Sequence, residues 1–330
     1  MSSTARLGVL LLLVVIGAAM WGLSFLSKHL EAVAAGVAPL PARSFERLSL
    51  ISVGTGGTFE NPRRRGPCLG VGLGEHLLLV DAGRGVAESL RASGIPAHQP
   101  EAVLLTSLLP ENTTGLDDLW LTGWLGPRTR PLQIYGPAGT RQLVAGLQAA
   151  HALDARALQE AWALPEAGGQ LRARELSDGD SLSVGGIQVR VAALSGGPFA
   201  ALVYRFQAAA EASPAPQSTR FGITTVGFAR EQQARFFKGV QLLASEAIFG
   251  ASLDAALAGG AERPEVLRRE AQLHWRLEEL GAFAQREAAR ALVLVRLRPP
   301  PAFDFQYERV VHQHFRGGVI VAEDGQLIAP

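Results

Sequence analysis

Hydrophobic positions in this chain follow three patterns, and each predicts a different kind of element. Over residues 7–26 (LGVLLLLVVIGAAMWGLSFL) no charge interrupts an apolar block of 20 residues. That length matches the roughly 20 residues a helix needs to cross a bilayer core, and Arg6 and Lys28 bracket it. From Leu48 onward, short apolar and β-branched runs alternate with glycine-rich turns. Strand character falls at 48–53, 68–73, 76–80, 102–105, 132–135, 187–193, 200–206, 221–225, 240–243 and 291–295. Helical spacing falls at 85–93, 139–150, 229–237 and 264–290. In the last stretch Leu273, Leu277, Leu280, Ala284 and Ala288 recur at intervals of 3 and 4 on one face. No period marks a repeat architecture. Hairpins mixed with single crossover helices predict two mixed sheets covered by helices.

The apolar block predicts a signal-anchor helix over residues 1–30. A cleaved signal peptide is the rival, with Ala32-Val33-Ala34 as a cleavage pattern. Residues 31–47 hold Gly36, Pro39 and Pro41 and read as a linker. One domain follows over 48–330. Arg6 and the free N-terminus favour a cytoplasmic start, which puts the domain on the extracytoplasmic, periplasmic side of a single-pass membrane protein.

Composition narrows the function classes. With 48% hydrophobic residues and a net charge of +1, the chain is neither disordered nor suited to nucleic-acid binding by bulk charge. The single cysteine, Cys68, excludes an intramolecular disulfide and a cysteine-based zinc site. Lys28 and Lys238 are the only lysines, an arginine bias that suggests a GC-rich bacterial genome.

Several motifs fall in an order that resembles one family. Ile51-Ser-Val-Gly-Thr-Gly-Gly57, Gly66-Pro67-Cys68 and Leu78-Leu-Val-Asp-Ala-Gly83 are similar to the opening of metallo-β-lactamase-fold hydrolases, nearest to their ribonuclease Z and arylsulfatase-like branch. Residues 105–116 (LTSLLPENTTGL) stand in the frame of that family's Thr-His-x-His-x-Asp-His…Thr-x-Gly-Leu strand end. Ile134-Tyr-Gly-Pro-Ala-Gly-Thr140 matches a Tyr-Gly-Pro-x-Gly-Thr turn, and Leu292-Val-Leu-Val-Arg-Leu-Arg-Pro299 matches a late Leu-Val-Leu-Thr-His-Leu-x-Pro strand. The resemblance spans about residues 48–330. It implies a four-layer αββα sandwich and a pair of zinc ions that lower the pKa of a bridging water.

The metal ligands that the resemblance implies are replaced. The histidine, histidine, aspartate and histidine of the first motif correspond to Ser107, Leu109, Glu111 and Asn112. A later histidine corresponds to Gly196, the bridging aspartate to Phe228 and the last histidine to Arg296. Only Glu111 keeps a ligating type, so no metal is expected here. Asp81 and His274 match retained pocket residues of the family, and Glu246 is also retained. With the dications gone, Arg296 is expected to pair with Asp81 or Glu111, and Leu109 and Phe228 to fill the remaining space. Of the other histidines, His76 and His98 read as turn or loop residues, and His312-x-His314 as one exposed strand face. Ser107 as a nucleophile needs a base, and no histidine is placed for it.

Arg63-Arg64-Arg65 reads as a solvated charge run near the active-site face. Gly54-Thr55-Gly56-Gly57 lacks the lysine and helix of a phosphate loop. These observations predict a membrane-anchored, non-catalytic member of the superfamily acting as a binding or scaffolding module for a protein or small molecule. The alternative is a hydrolase of phosphoesters or other esters with a rearranged or metal-free site. No nucleic-acid partner is expected, and the resemblance leaves a homodimer open.

Overall fold

The short apolar runs become the strands of two sheets. The computed structural model describes residues 3–37, 40–58, 61, 63–209 and 220–329. In chain order the strands are β1 (Phe45–Gly54), β2 (Cys68–Gly74), β3 (His76–Val80), β4 (Ala102–Leu104), β5 (Leu132–Gly136), β6 (Leu171–Glu175), β7 (Ser181–Val184), β8 (Ile187–Leu194), β9 (Ala201–Ala208), β10 (Arg220–Thr224), β11 (Leu242–Ile248), β12 (Ala291–Arg298), β13 (Gly318–Val321) and β14 (Gln326–Ile328). The helices are α1 (Ser3–Val37), α2 (Val86–Ala92), α3 (Pro110–Thr113), α4 (Leu116–Leu125), α5 (Thr140–Ala150), α6 (Ala152–Trp162), α7 (Arg230–Phe237), α8 (Gly250–Ala258), α9 (Pro264–Ala271), α10 (Leu277–Arg286) and α11 (Asp304–His312).

The chain divides into two units, Met1–Leu40 and Pro41–Pro330. The first contains α1, and its Leu12–Leu30 stretch is long and apolar enough to cross a membrane and is not buried. The helix runs on to Val37 and β1 starts at Phe45, so the segment expected as a linker over 31–47 is partly regular structure.

In the second unit, one sheet has the order β14-β1-β2-β3-β4-β5-β6 and the other β13-β12-β11-β10-β9-β8-β7. Each mixes antiparallel and parallel neighbours. Strands β1 to β3 form an antiparallel meander, and β3 to β6 run parallel. In the second sheet β7 to β10 are antiparallel and β10 to β13 parallel. Alternation along β8 and β9 sends Val189, Val191, Tyr204 and Phe206 into the core between the sheets, with Leu50, Val71 and Leu78 facing them. The opposite faces pack on helices. Val103 of β4 and Ile134 of β5 share one cluster with Leu90 of α2, Leu119 of α4 and Val144 of α5, while Leu292 of β12 shares another with Phe237 of α7, Leu280 of α10 and Val311 of α11. This is the four-layer αββα sandwich with two mixed sheets that the motifs implied.

Three expectations are corrected. The 264–290 stretch is not one helix: it stops at Ala271 and restarts at Leu277. The carbonyls of Leu273 and Trp275 accept from the amides of Gly227 and Ile248 (both 2.7 Å), so tertiary partners replace the intrahelical ones. His312-x-His314 lies on no strand. His312 ends α11, whose Tyr307 and Val311 are buried one turn apart, and His314 follows in the turn. His76, expected in a turn, opens β3 and pairs with Glu101.

Candidate functional site

The site forms where the loops after β3, β4 and β12 meet. Asp81 follows β3 with φ 61° and is fully buried. The loop below it is tight: a Cβ on Gly83 would stand 2.5 Å from the Pro67 nitrogen, and one on Gly115 2.1 Å from the Gly83 carbonyl oxygen. Only glycine permits these approaches. They bring α3 against the end of β3, where the Ala82 amide donates to the Asn112 carbonyl at 2.8 Å.

Arg296 reaches this point because β12 bulges. The β11–β12 register shifts between Glu246 and Ile248, and Arg296 has φ 50°. A bulge re-aims the side chain it carries. The Arg296 guanidinium is buried and donates through Nη2 to Asp81 Oδ2. Nη1 donates to Asn112 Oδ1 at 2.9 Å and lies 4.0 Å from Glu111 Oε1. The expected pairing of Arg296 is therefore present, with Asp81 as the close partner and Glu111 at the edge.

Around that pair the polar groups satisfy one another. Asp81 accepts from the Thr106 amide (2.7 Å) and hydroxyl (2.8 Å). Asn112 donates to Ser107 Oγ at 2.8 Å, and Thr225, just after β10, donates to Thr106 Oγ1 at 2.9 Å. Burial pushes the Asp81 carboxyl above its ordinary range, opposed by the Arg296 charge and the Thr106 bonds. Burial also pushes the Cys68 thiol up, and Asp81 adds to that shift. A second layer closes the mouth. Glu111 is bonded by Thr58 and lies 3.6 Å from Arg298 Nη2, while Arg298 also pairs with Glu270.

The structure thus unites Asp81, Ser107, Glu111, Asn112 and Arg296. It does not add the other expected positions to this cluster. Leu109 joins only through its backbone: it is half-buried at the N-terminus of α3, and its amide donates to Ser107 Oγ at 3.3 Å. Gly196 is exposed at φ 81° in the β8–β9 loop, with open space where a Cβ would stand. Phe228 packs edge-on against Phe199, ring centroids 5.7 Å apart. His274 forms a separate buried pair, its Nδ1 2.5 Å from Glu246 Oε2, and the Trp275 amide donates to Glu246 Oε1. Thr58, Thr106, Thr225 and Arg298 were not foreseen. Arg298, two residues beyond Arg296 in Leu294-Val-Arg-Leu-Arg298, was the one legible hint.

These side chains do not fit the zinc pair of the resembled family. Arginine cannot ligate, Ser and Asn are poor neutral donors, and the one carboxylate left at a ligand position is tied to Thr58 and two arginines. Among the described residues no three His, Cys, Asp or Glu side chains converge as a metal site.

Comparison with known proteins agrees with the architecture. No family model matches the chain. A ribonuclease Z of Mycobacterium sp. strain KMS is 30% identical over 266 residues, covering 76% of this chain and 84% of that protein. The chain belongs to the ribonuclease Z family. A ribonuclease Z of Mycolicibacterium paratuberculosis is 29% identical over 301 residues, covering 82% and 94%. Among solved structures, the metallo-β-lactamase fold protein YhfI of Bacillus subtilis superposes with a TM-score of 0.62 at 16% identity, covering 85% of this chain and 98% of that one. The short form of human tRNase Z gives 0.60 at 18%, covering 86% and 99%. The ribonuclease Z-like fold is therefore that of the metallo-β-lactamase hydrolase superfamily.

Proposed function

We propose that the chain is a non-catalytic, metal-free member of the ribonuclease Z family that works as a membrane-anchored binding module. One observation carries this reading: the Arg296 guanidinium lies among the former ligand positions, bonded to Asp81 and Asn112. A permanent cation there repels a dication and occupies the acceptors that would orient its ligands. The apolar Leu12–Leu30 stretch supports a single-pass anchor, and Arg6 ahead of it favours the domain on the extracytoplasmic side. Elemental analysis of the detergent-purified full chain after dialysis tests the metal claim. The expected result is far less than one zinc or iron per chain; a stoichiometric metal that survives dialysis overturns it.

A second reading is a hydrolase of phosphoesters or other esters that acts without metal. The intact Glu246–His274 pair supports it, and the relatives' name, ribonuclease Z, makes RNA a substrate to assay. RNA or phosphodiester cleavage that disappears in His274→Ala would favour this reading over the first.

A further inference from the structure

A cavity of about 390 Å³ adjoins the Arg298–Glu111 layer. The β1–β2 loop, α8, α9 and the end of β12 build it together, and its volume falls in the range of small-molecule sites. Leu253, Leu267 and Leu297 form apolar walls, and exposed Ala256 stands at the rim. Apolar enclosure with a few fixed polar groups is the usual make-up of a site for an organic ligand.

The polar groups specify charge. Arg64 is half-buried, and its Nη1 donates to two uncharged acceptors, Thr55 Oγ1 at 2.7 Å and the Ala322 carbonyl at 2.6 Å. Asp324 accepts from Thr55 and from the Arg65 amide, not from Arg64. Among the described residues Arg64 has no carboxylate partner, and its Nε and Nη2 have no acceptor. Those two nitrogens form one edge of the guanidinium plane, the edge that grips both oxygens of a carboxylate. Arg298 contributes a second unmet donor: its Nη atoms are taken by Glu270 and Thr58, while its Nε is buried without a partner.

We propose that this cavity binds an organic carboxylate with an apolar body, the carboxylate on the Nε–Nη2 edge of Arg64 and the body against Leu253, Leu267 and Leu297. The proposal rests on the reading of the domain as a binding module and names the ligand class of that module. A carboxylate fits better than a neutral ligand because Arg64 is held in place and, among the described residues, no carboxylate pairs with it directly. Apolar walls add affinity in proportion to the ligand surface they remove from water.

Calorimetric titration of 4-phenylbutyrate into the full chain in phosphatidylcholine nanodiscs, blanked with empty discs, tests it. We expect saturable binding at one site per chain. Arg64→Gln should weaken it about tenfold or more, the value of a charge-assisted pair. Ala256→Trp, placed on an exposed helix position where it leaves the core intact, should block it. The alcohol 4-phenyl-1-butanol should bind about tenfold or more weakly. Absence of saturable binding, equal binding of the alcohol, or unchanged binding in both variants overturns the proposal. Zinc analysis of the same preparation separates the two claims. Lost ligand binding in metal-free protein defeats the carboxylate site alone, whereas stoichiometric zinc defeats the parent reading.

Discussion

Arg296 joins the site through both its backbone and its side chain. Its φ of 50° is a backbone conformation that side-chain-bearing residues rarely adopt. It is held by the Arg296 amide donating to the Thr55 carbonyl at 2.9 Å and by the bonds to Asp81 and Asn112. The ion pair is buried on both sides, so removing one partner leaves an uncompensated charge. Arg296→Met should therefore destabilise the domain by about 3–5 kcal/mol in chemical denaturation. The loss should depend on pH with a definite sign. Burial raises the folded-state pKa of Asp81, and the variant removes the main opposing charge. A carboxyl raised above its unfolded value favours folding when protonated. Stability is then fully present below the unfolded pKa, near 3.9, and declines as pH rises toward the raised folded value. Arg296→Met should thus lose stability on going from acid to neutral pH, and adding Asp81→Asn should remove most of that slope. A pH-independent Arg296→Met would contradict this account of the pair.

At the scale of elements, the break between α9 and α10 shows what periodicity cannot reveal. Leu273 continues the apolar stripe of the helix that follows, yet its carbonyl and that of Trp275 bond to strands and loops distant in sequence. Glu246 on β11 anchors this segment by accepting from the Trp275 amide at 3.1 Å and bonding His274. Trp275, buried and 4.8 Å from the Phe283 ring centroid, then orients α10. Glu246→Ala should cost about 2 kcal/mol or more, because two buried polar groups lose their acceptor. Hydrogen exchange should accelerate at 274–276, and Glu246→Gln, which keeps one acceptor, should lose less. Most strands were legible because their runs are short, apolar and closed by glycine. Strands β6, β7, β13 and β14 were not: Arg172, Arg174 and Glu175 interrupt the apolar pattern of the first, serines that of the second, and the last two span only four and three residues. The pairing of Arg296 was legible because the resemblance set it among former ligand positions beside Asp81 and Glu111, where the carboxylates need a counter-charge. The carboxylate cavity was not, because Arg64, Leu253, Leu267 and Arg298 come from four separate segments that only the fold brings together.

For the whole molecule, the two units obey opposite solvent rules. The layered domain encloses its apolar residues in three clusters between sheets and helices. Helix α1 does the reverse over Leu12–Leu30, where Leu23, Phe25 and Leu26 are all more than half exposed. Exposed apolar surface on that scale is unfavourable in water, and covering it at about 25 cal/mol per Å² is a large driving force. At about 1.5 Å rise per residue, those 19 residues reach nearly the roughly 30 Å of a bilayer core. A bilayer would cover this apolar surface, which is the basis for the anchor proposed above; a signal sequence has the same character. The full chain should sediment with membranes, resist extraction by salt and alkaline carbonate, and come off in detergent. Deleting residues 1–27 should leave the domain in the supernatant. Added protease should digest the domain in spheroplasts but not in intact cells if the domain faces outward, as Arg6 on the short N-terminal side favours. Release by carbonate would show a peripheral attachment, and a mature N-terminus beginning after Ala34 would show that the helix is a cleaved signal.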